Sequence, residues 1–319
     1  MTKSEGYQPA FLGKNLKVSL PKPNAGKVKD IAPVKGSKDA LLHYTHHSVA
    51  LSKTRKLPVF AAVNIDGKQF RQLKRNELFA GGSDEWTIDE RAPEFQWGSH
   101  LYNATGSQFD RGHMVKREDP QWGPDDLTAR EAARSTFFFS NCVPQVGDLN
   151  RKEWRSLEDY ILKKESTTLD LKINVFTGPV LSDDDPFFVT QVKGEQVQIP
   201  TLFWKLVYFT ADSKTLHRVG FLMGQKQLLL KRGIAKIKED ELESVVLKPK
   251  IFDDYEDAAM YQVNISVIEK LTGLQFSPAN EPYKDTRPAK IVLKEVEISD
   301  LESFSSSGGL DFALEGLVL

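Results

Sequence analysis

Thiol chemistry is almost missing from this chain: Cys142 is the single cysteine among 319 residues. That excludes an intramolecular disulfide and a zinc cage built on several thiolates. Stability has to come from packing. An excess of charge of one sign is missing too, since 43 Lys and Arg stand against 44 Asp and Glu, a formal balance of −1. A hold on nucleic acid or anionic lipid must therefore be local rather than a property of total charge. Long apolar runs are also absent. Nowhere are there about 20 consecutive apolar residues to span a bilayer, and residues 1–15 lack the apolar core of about 7–15 residues that a secretory signal needs. The compartment expected on these grounds is the cytoplasm, with no membrane partner and an exported mature form left open. The residues that are present, 40% hydrophobic, 10% aromatic and 27% charged, suffice for a sizeable core and are unlike those of a disordered chain.

Along the chain, residues 1–35 read as an N-terminal arm, with a Pro-, Gly- and Lys-rich stretch from Pro21 to Pro33. Residues 36–300 read as one compact domain and residues 301–319 as a tail, polar and Gly-rich before an apolar end. Strand signals are the β-branched and aromatic runs Leu57–Ile65, Thr136–Val143, Val175–Val180, Leu202–Thr210 and Val219–Met223. Helix periodicity is clearest from Asn150 to Lys164, where Trp154, Leu157 and Ile161 recur at spacings of three and four. Further helices are expected at Asp125–Ala133, Gln225–Leu230 and Tyr255–Leu271, the last ended by Gly273. The expected class is α+β, with a central, mainly antiparallel sheet.

Chemistry-bearing residues gather in two segments. Asp110-Arg111-Gly112-His113-Met114 sets a histidine, whose ordinary pKa of about 6.5 suits proton transfer, beside a cation and a carboxylate. Downstream come Asn141, Gln145 and Asn150, and on a helix Asn150, Trp154 and Glu158 would share one face at i, i+4 and i+8. An amide and a carboxylate are poor residues for a purely buried face, because each needs a hydrogen-bond partner. Phosphodiester hydrolysis asks for a base to activate water, a cation to neutralise the phosphorane, and help for the leaving oxygen. A magnesium ion takes oxygen ligands and keeps several waters, so the single amide oxygen of Asn150 would suffice as its protein anchor.

Blander readings accompany each of these. Asn150 also suits a helix N-cap, Glu158 an exposed carboxylate beside Arg155, and Arg111 a salt bridge with Asp110. His43, His46 and His47 invite a zinc reading, but no Cys or second His pair stands at ligand spacing, so packing and hydrogen bonding within a strand is favoured. Cys142 reads as an inert buried thiol.

The run D-R-G-H-M at Asp110–Met114, S-N-C-V-P-Q at Ser140–Gln145 and L-N-R-K-E-W-R-S-L-E at Leu149–Glu158 resembles the DNA/RNA non-specific endonucleases. Flanking stretches at Gly6–Gly13, Leu42–Ser48, Ala62–Gly67, Arg117–Gly123 and Phe176–Pro179 extend the likeness over most of the chain. The resemblance implies a ββα-metal finger in which His113 is the general base and Asn150 the direct Mg²⁺ ligand, Mn²⁺ being a substitute for the ion. It implies that Arg111 contacts phosphate, that Glu158 holds metal waters or orients Asn150, and that Asn141 positions the His113 segment. Gln145 matches a motif position whose role the residues do not reveal. Arg151 lies in a basic cluster that would contact substrate phosphate if it borders the cleft. A second, upstream arginine assists in some relatives, and Arg55, Arg71, Arg75 and Arg91 all compete for that part.

The expected function is therefore Mg²⁺-dependent, sequence-tolerant cleavage of DNA and RNA, leaving 5′-phosphate products. A regulated toxin or defence effector, with an inhibitor, activator or sensor protein as partner, is a variant of this reading, and a homodimer is expected. The rival is a catalytically silent nucleic-acid-binding module on the same scaffold.

Overall fold

In the computed structural model, residues 5–147, 149, 161, 170–237, 256–296, 311–315 and 317–318 are described. The helix expected from Asn150 to Lys164, with Asn150, Arg151, Trp154 and Glu158, lies outside the described residues except for Ile161.

The apolar runs become a wholly antiparallel nine-stranded sheet. Its members are β1 (Leu42–Tyr44), β2 (His47–Leu51), β3 (Pro58–Asp66), β6 (Lys172–Val180), β7 (Leu202–Phe209), β8 (His217–Gly224), β9 (Met260–Val263), β10 (Ala289–Val296) and β11 (Asp311–Glu315). Two further strands, β4 (Phe109–His113) and β5 (Cys142–Val146), form a separate hairpin-like pair. The sheet order is β11-β10-β9-β8-β7-β6-β3-β2-β1. The α+β class with a mainly antiparallel sheet is thus as the strand signals foretell.

Both faces of the sheet are covered, which is why β3 is buried along its whole length and reads as an unbroken apolar run rather than an alternating one. Ala61, Val63 and Ile65 of β3 face one way, into a core shared with Phe109, Met114, Val143 and Val146 of the β4–β5 region. Phe60 and Ala62 face the other way, toward Tyr7 and Val18 near the start of the chain and Ile265 and Ile268 of a helix. The β4–β5 pair therefore sits as a layer on one face, anchored by its own apolar side chains.

Residues of the expected arm run along the second face: Tyr7 donates its backbone N–H to Ser48 Oγ (2.9 Å) and its hydroxyl to the Val18 carbonyl (2.9 Å). Helix α1 (Asp126–Ser135) is capped by the Asp125 side chain on Thr128 N and buries Ala129, Ala132 and Ala133. Helix α2 spans Lys226–Lys231.

Two expectations shift. In the stretch expected to be helical from Tyr255 to Leu271, Met260–Val263 is strand β9, hydrogen-bonded to β8, and only Ile265–Thr272 is helix (α3). The pairing available to β9 outweighs its helical periodicity, and Asn264 caps the helix that follows by accepting from Ser266 N. Gly273 does end that helix, at φ 68° in the left-handed region. The strand expected over Thr136–Val143 begins only at Cys142, because Phe139–Asn141 form a 3₁₀ turn. Among the described residues no helix is long and apolar enough to cross a membrane.

Candidate active site

Strands β4 and β5 pair with His113 opposite Cys142, Gly112 opposite Val143, Arg111 opposite Pro144 and Asp110 opposite Gln145. Side chains alternate along a strand, so Arg111 and His113, two apart, project from the same face. Gly112 between them projects nothing, and the Gln145 side chain fills that space: a Cβ on Gly112 would lie 2.0 Å from Gln145 Oε1 and 2.7 Å from its Cγ. Gln145 is fully buried, and neither of its amide atoms has a hydrogen-bond partner among the described residues.

The end of β4 is clamped by Asn141. Its backbone carbonyl accepts from Met114 N (2.8 Å), its Oδ1 accepts from Val115 N (2.9 Å), and its Nδ2 donates to the carbonyls of Val115 (2.9 Å) and Thr136 (3.0 Å). An asparagine that replaces missing backbone pairing on a neighbouring segment leaves the chain no freedom to slide there. The clamp is backed by Ser140, whose hydroxyl meets Tyr44 Oη at 2.7 Å, with Tyr44 in turn donating to Asp89 (2.6 Å). At the other end of β5, Gln225 accepts from Val146 N (2.9 Å) and donates to the carbonyls of Pro144 (3.0 Å) and Pro200 (2.8 Å), so a side chain stands in for the next strand of the ladder.

The His113 ring packs against Trp86 (centroids 4.6 Å apart) and edge-on to Phe137 (4.9 Å). Its Nε2 is enclosed and has no hydrogen-bond partner among the described residues. Burial pushes the imidazole down to about 3, and Arg75, the foremost of the charges acting on it, adds in the same direction. The ring is neutral at physiological pH and has an unshared nitrogen lone pair. Arg111 lays its guanidinium over the Tyr102 ring at 5.5 Å and donates from Nη2 to Asn103 Oδ1 at 3.3 Å, while its Nε has no partner among the described residues.

Of the four upstream arginines, three are engaged elsewhere. Arg55 is buried against Asp185 (2.6 Å) and the carbonyls of Ser182 and Gln198. Arg71 bonds the carbonyls of Gly123 and Pro124 and the Asp126 carboxylate. Arg91 holds both oxygens of Asp89 and the His43 carbonyl. Arg75 alone lies at His113: its guanidinium is 5.9 Å from the centre of the Phe137 ring that the imidazole abuts, and it is paired with Asp84.

The other histidines pack. His46 stacks on Trp122 at 3.5 Å and donates to the Pro120 carbonyl, His43 bridges Ser48 and Asp39, and His47 is buried on Tyr44. Among the described residues no group of three His, Cys, Asp or Glu side chains is arranged to hold a metal ion. The Cys142 thiol is pushed up to about 12 by burial and meets Tyr102 Oη at 3.2 Å, which makes it a poor nucleophile. Sequence reading passed over Trp86, Phe137 and Asp84. The first two carry only an aromatic signal among many, and Asp84 carries none.

A family model of the DNA/RNA non-specific endonucleases matches residues 29–282. The chain belongs to that family. Among curated relatives it is 33% identical over 235 residues to the uncharacterized protein y4fB of Sinorhizobium fredii, covering 71% of this chain and 33% of that protein. It is 31% identical over 143 residues to the mitochondrial Nuclease 1 of Schizosaccharomyces pombe (44% of this chain, 40% of that one). Against the mitochondrial Endonuclease G of Homo sapiens it is 28% identical over 213 residues (64% and 61%). The chain thus spans less than two thirds of the length of each.

Proposed function

We propose that this chain is a metal-dependent endonuclease that hydrolyses phosphodiester bonds of DNA and RNA without reading sequence. The single observation that carries the reading is the imidazole of His113, placed on a strand with Arg111 on the same face and packed against Trp86 and against Phe137, over which Arg75 lies. His113 is the general base. Its Nε2 is enclosed while the residue as a whole is partly exposed, so Nδ1 is the nitrogen that takes the proton of the attacking water. Arg111 and Arg75 neutralise the phosphate; guanidinium N–H groups suit phosphate oxygens in any sequence. Arrival of that phosphate lifts the basicity of His113, since a nearby anion favours the imidazolium that forms. Asn141 holds the turn that aims β4.

Asn150 and Glu158 would hold the ion, Mg²⁺ or Mn²⁺. An amide and a carboxylate oxygen are the donors a hard divalent cation takes, and no competing soft-ligand cluster stands among the described residues. Such an ion supplies Lewis-acid stabilisation of the phosphorane and of the leaving oxygen.

Plasmid nicking and RNA digestion by the purified chain test this. Wild type with Mg²⁺ is expected to cleave both and to stop in EDTA. His113→Ala is expected to lose about 10²–10⁴-fold in rate with unchanged circular dichroism. A folded His113→Ala variant that cleaves at the wild-type rate would refute the mechanism, and a wild type that binds but never cleaves would favour the silent binding module.

A further inference from the structure

The Arg75 guanidinium is occupied. Its Nε donates to Asp84 Oδ1 at 2.9 Å and its Nη2 to Asp84 Oδ2, a side-on grip with two parallel bonds to a carboxylate. The same edge, with the same donor spacing, fits two oxygens of a phosphodiester. The surroundings of the carboxylate also suit a phosphate: Asp84 lies in the field of the Arg75 and Arg117 guanidinium groups and near the neutral His113 ring. Asp84 thus lies among the cationic and imidazole groups of the site, where Glu118, paired with Arg117 at 2.7 Å, is a second carboxylate acting on Arg75.

A short excursion of the chain delivers it there. The backbone leaves the site through the 3₁₀ turn Arg75–Glu77, reverses near Gly82 (φ 67°, the left-handed region) and returns through Asp84 to Trp86, which covers His113. Both legs are pinned. Arg117 Nη1 donates to the Leu73 carbonyl (3.2 Å), Thr87 N to the Phe137 carbonyl (3.1 Å), and Phe139 N to the Thr87 carbonyl (2.9 Å). The ion pair between the legs is wet, with side-chain exposures of 60% for Arg75 and 26% for Asp84. Separating them strands no buried charge, and such pairs are weak. Among the described residues Asp84 has no other side-chain partner than Arg75.

We propose that Asp84 is an internal stand-in for the substrate phosphate, holding the Arg75 fork in the free protein and leaving it when a nucleic-acid phosphate arrives. The proposal rests on the endonuclease reading, in which Arg75 contacts phosphate. Asp84 thereby weakens the site for every polyanion and keeps the guanidinium oriented until one binds. The opposing possibility is a carboxylate that never leaves Arg75 and orients it in the complex.

Fluorescence anisotropy of a labelled single-stranded oligodeoxynucleotide on the full-length chain, in EDTA so that no cleavage intervenes, separates the two. Asp84→Asn is expected to bind about two- to fivefold tighter than wild type, the range set by displacing an exposed ion pair. Arg75→Ala is expected to bind more weakly, and adding Asp84→Asn to it should have little further effect. A gain that persists undiminished with alanine at position 75 would be a general effect of net charge and would overturn the proposal. Weaker or unchanged binding by Asp84→Asn would overturn it as well. Wild-type binding by Arg75→Ala is a different result: it would remove Arg75 from the phosphate site, and Asp84 as its stand-in with it.

Discussion

At His113 the protein trades hydration of the ring for contact with Trp86 and Phe137, and the protonated form is what loses by it. With its pKa lowered to about 3 by burial, and by Arg75 next, the ring is available as a base over the whole neutral range. The sign follows directly. In the proposed mechanism activity requires the neutral ring, so it is expected to rise with pH through the pKa of His113 and to be complete above it. The acid limb of kcat/KM, which reports the free enzyme, is expected well below the ordinary histidine value of about 6.5. A pH–rate profile measured with a short oligonucleotide checks this, and an acid limb at or above that value would contradict it. The candidacy of His113 was legible in the D-R-G-H run. Its altered basicity was not, because Trp86, Phe137 and Arg75 come from segments 24 to 38 residues away in the chain.

The β4–β5 pair shows how one element converts residue types into aim. Glycine at 112 is required by space rather than by backbone conformation, since the buried Gln145 side chain lies where a Cβ would be. Gly112→Ala is expected to destabilise the protein by about 1–3 kcal/mol, the usual cost of overpacking, and to lower cleavage by displacing its neighbours Arg111 and His113. Gln145→Ala in the same chain should restore much of the loss, because it removes the clashing atoms. Urea titration of the single and double variants measures the coupling, and strictly additive effects would show that the contact is not the cause. Strand signals announced β3, β6, β7 and β8 to within a few residues, whereas β9, which reads as helix, and the 3₁₀ turn at Phe139–Asn141 escaped them. That turn is held by the Asn141 amide, which satisfies the backbone of nearby Thr136 and of Val115, 26 residues away in the chain.

At the scale of the molecule, buried imidazoles tie folding to pH. His47 is fully buried; its Nδ1 donates to the Thr45 carbonyl, its Nε2 has no partner among the described residues, and burial lowers its pKa to about 3. In the unfolded chain the same ring titrates near 6.5, so between the two values the unfolded state binds the proton better. Stability from a neutral His47 is complete above about pH 6.5 and is lost toward pH 3, by about 1.4 kcal/mol for each pH unit. Asp185, raised to about 6 by burial, works in the opposite direction between its ordinary carboxylate value and about 6. A comparison of variants cancels that contribution. Unfolding free energies at about pH 7 and about pH 5 should fall more steeply for wild type than for His47→Gln; equal slopes would mean that His47 carries no such linkage.

By itself, the sequence determined the α+β class, the antiparallel sheet, the independence from disulfides and the family, because each is written in short-range periodicity, composition or contiguous motifs. Only the tertiary structure decided which of four arginines stands at the histidine, what occupies it, and why Gly112 is a glycine. Those answers depend on contacts between segments far apart in the chain. Arg55, Arg71 and Arg91 are chemically as able as Arg75 to hold a phosphate, and packing alone has given each of them a different carboxylate and a different set of carbonyls.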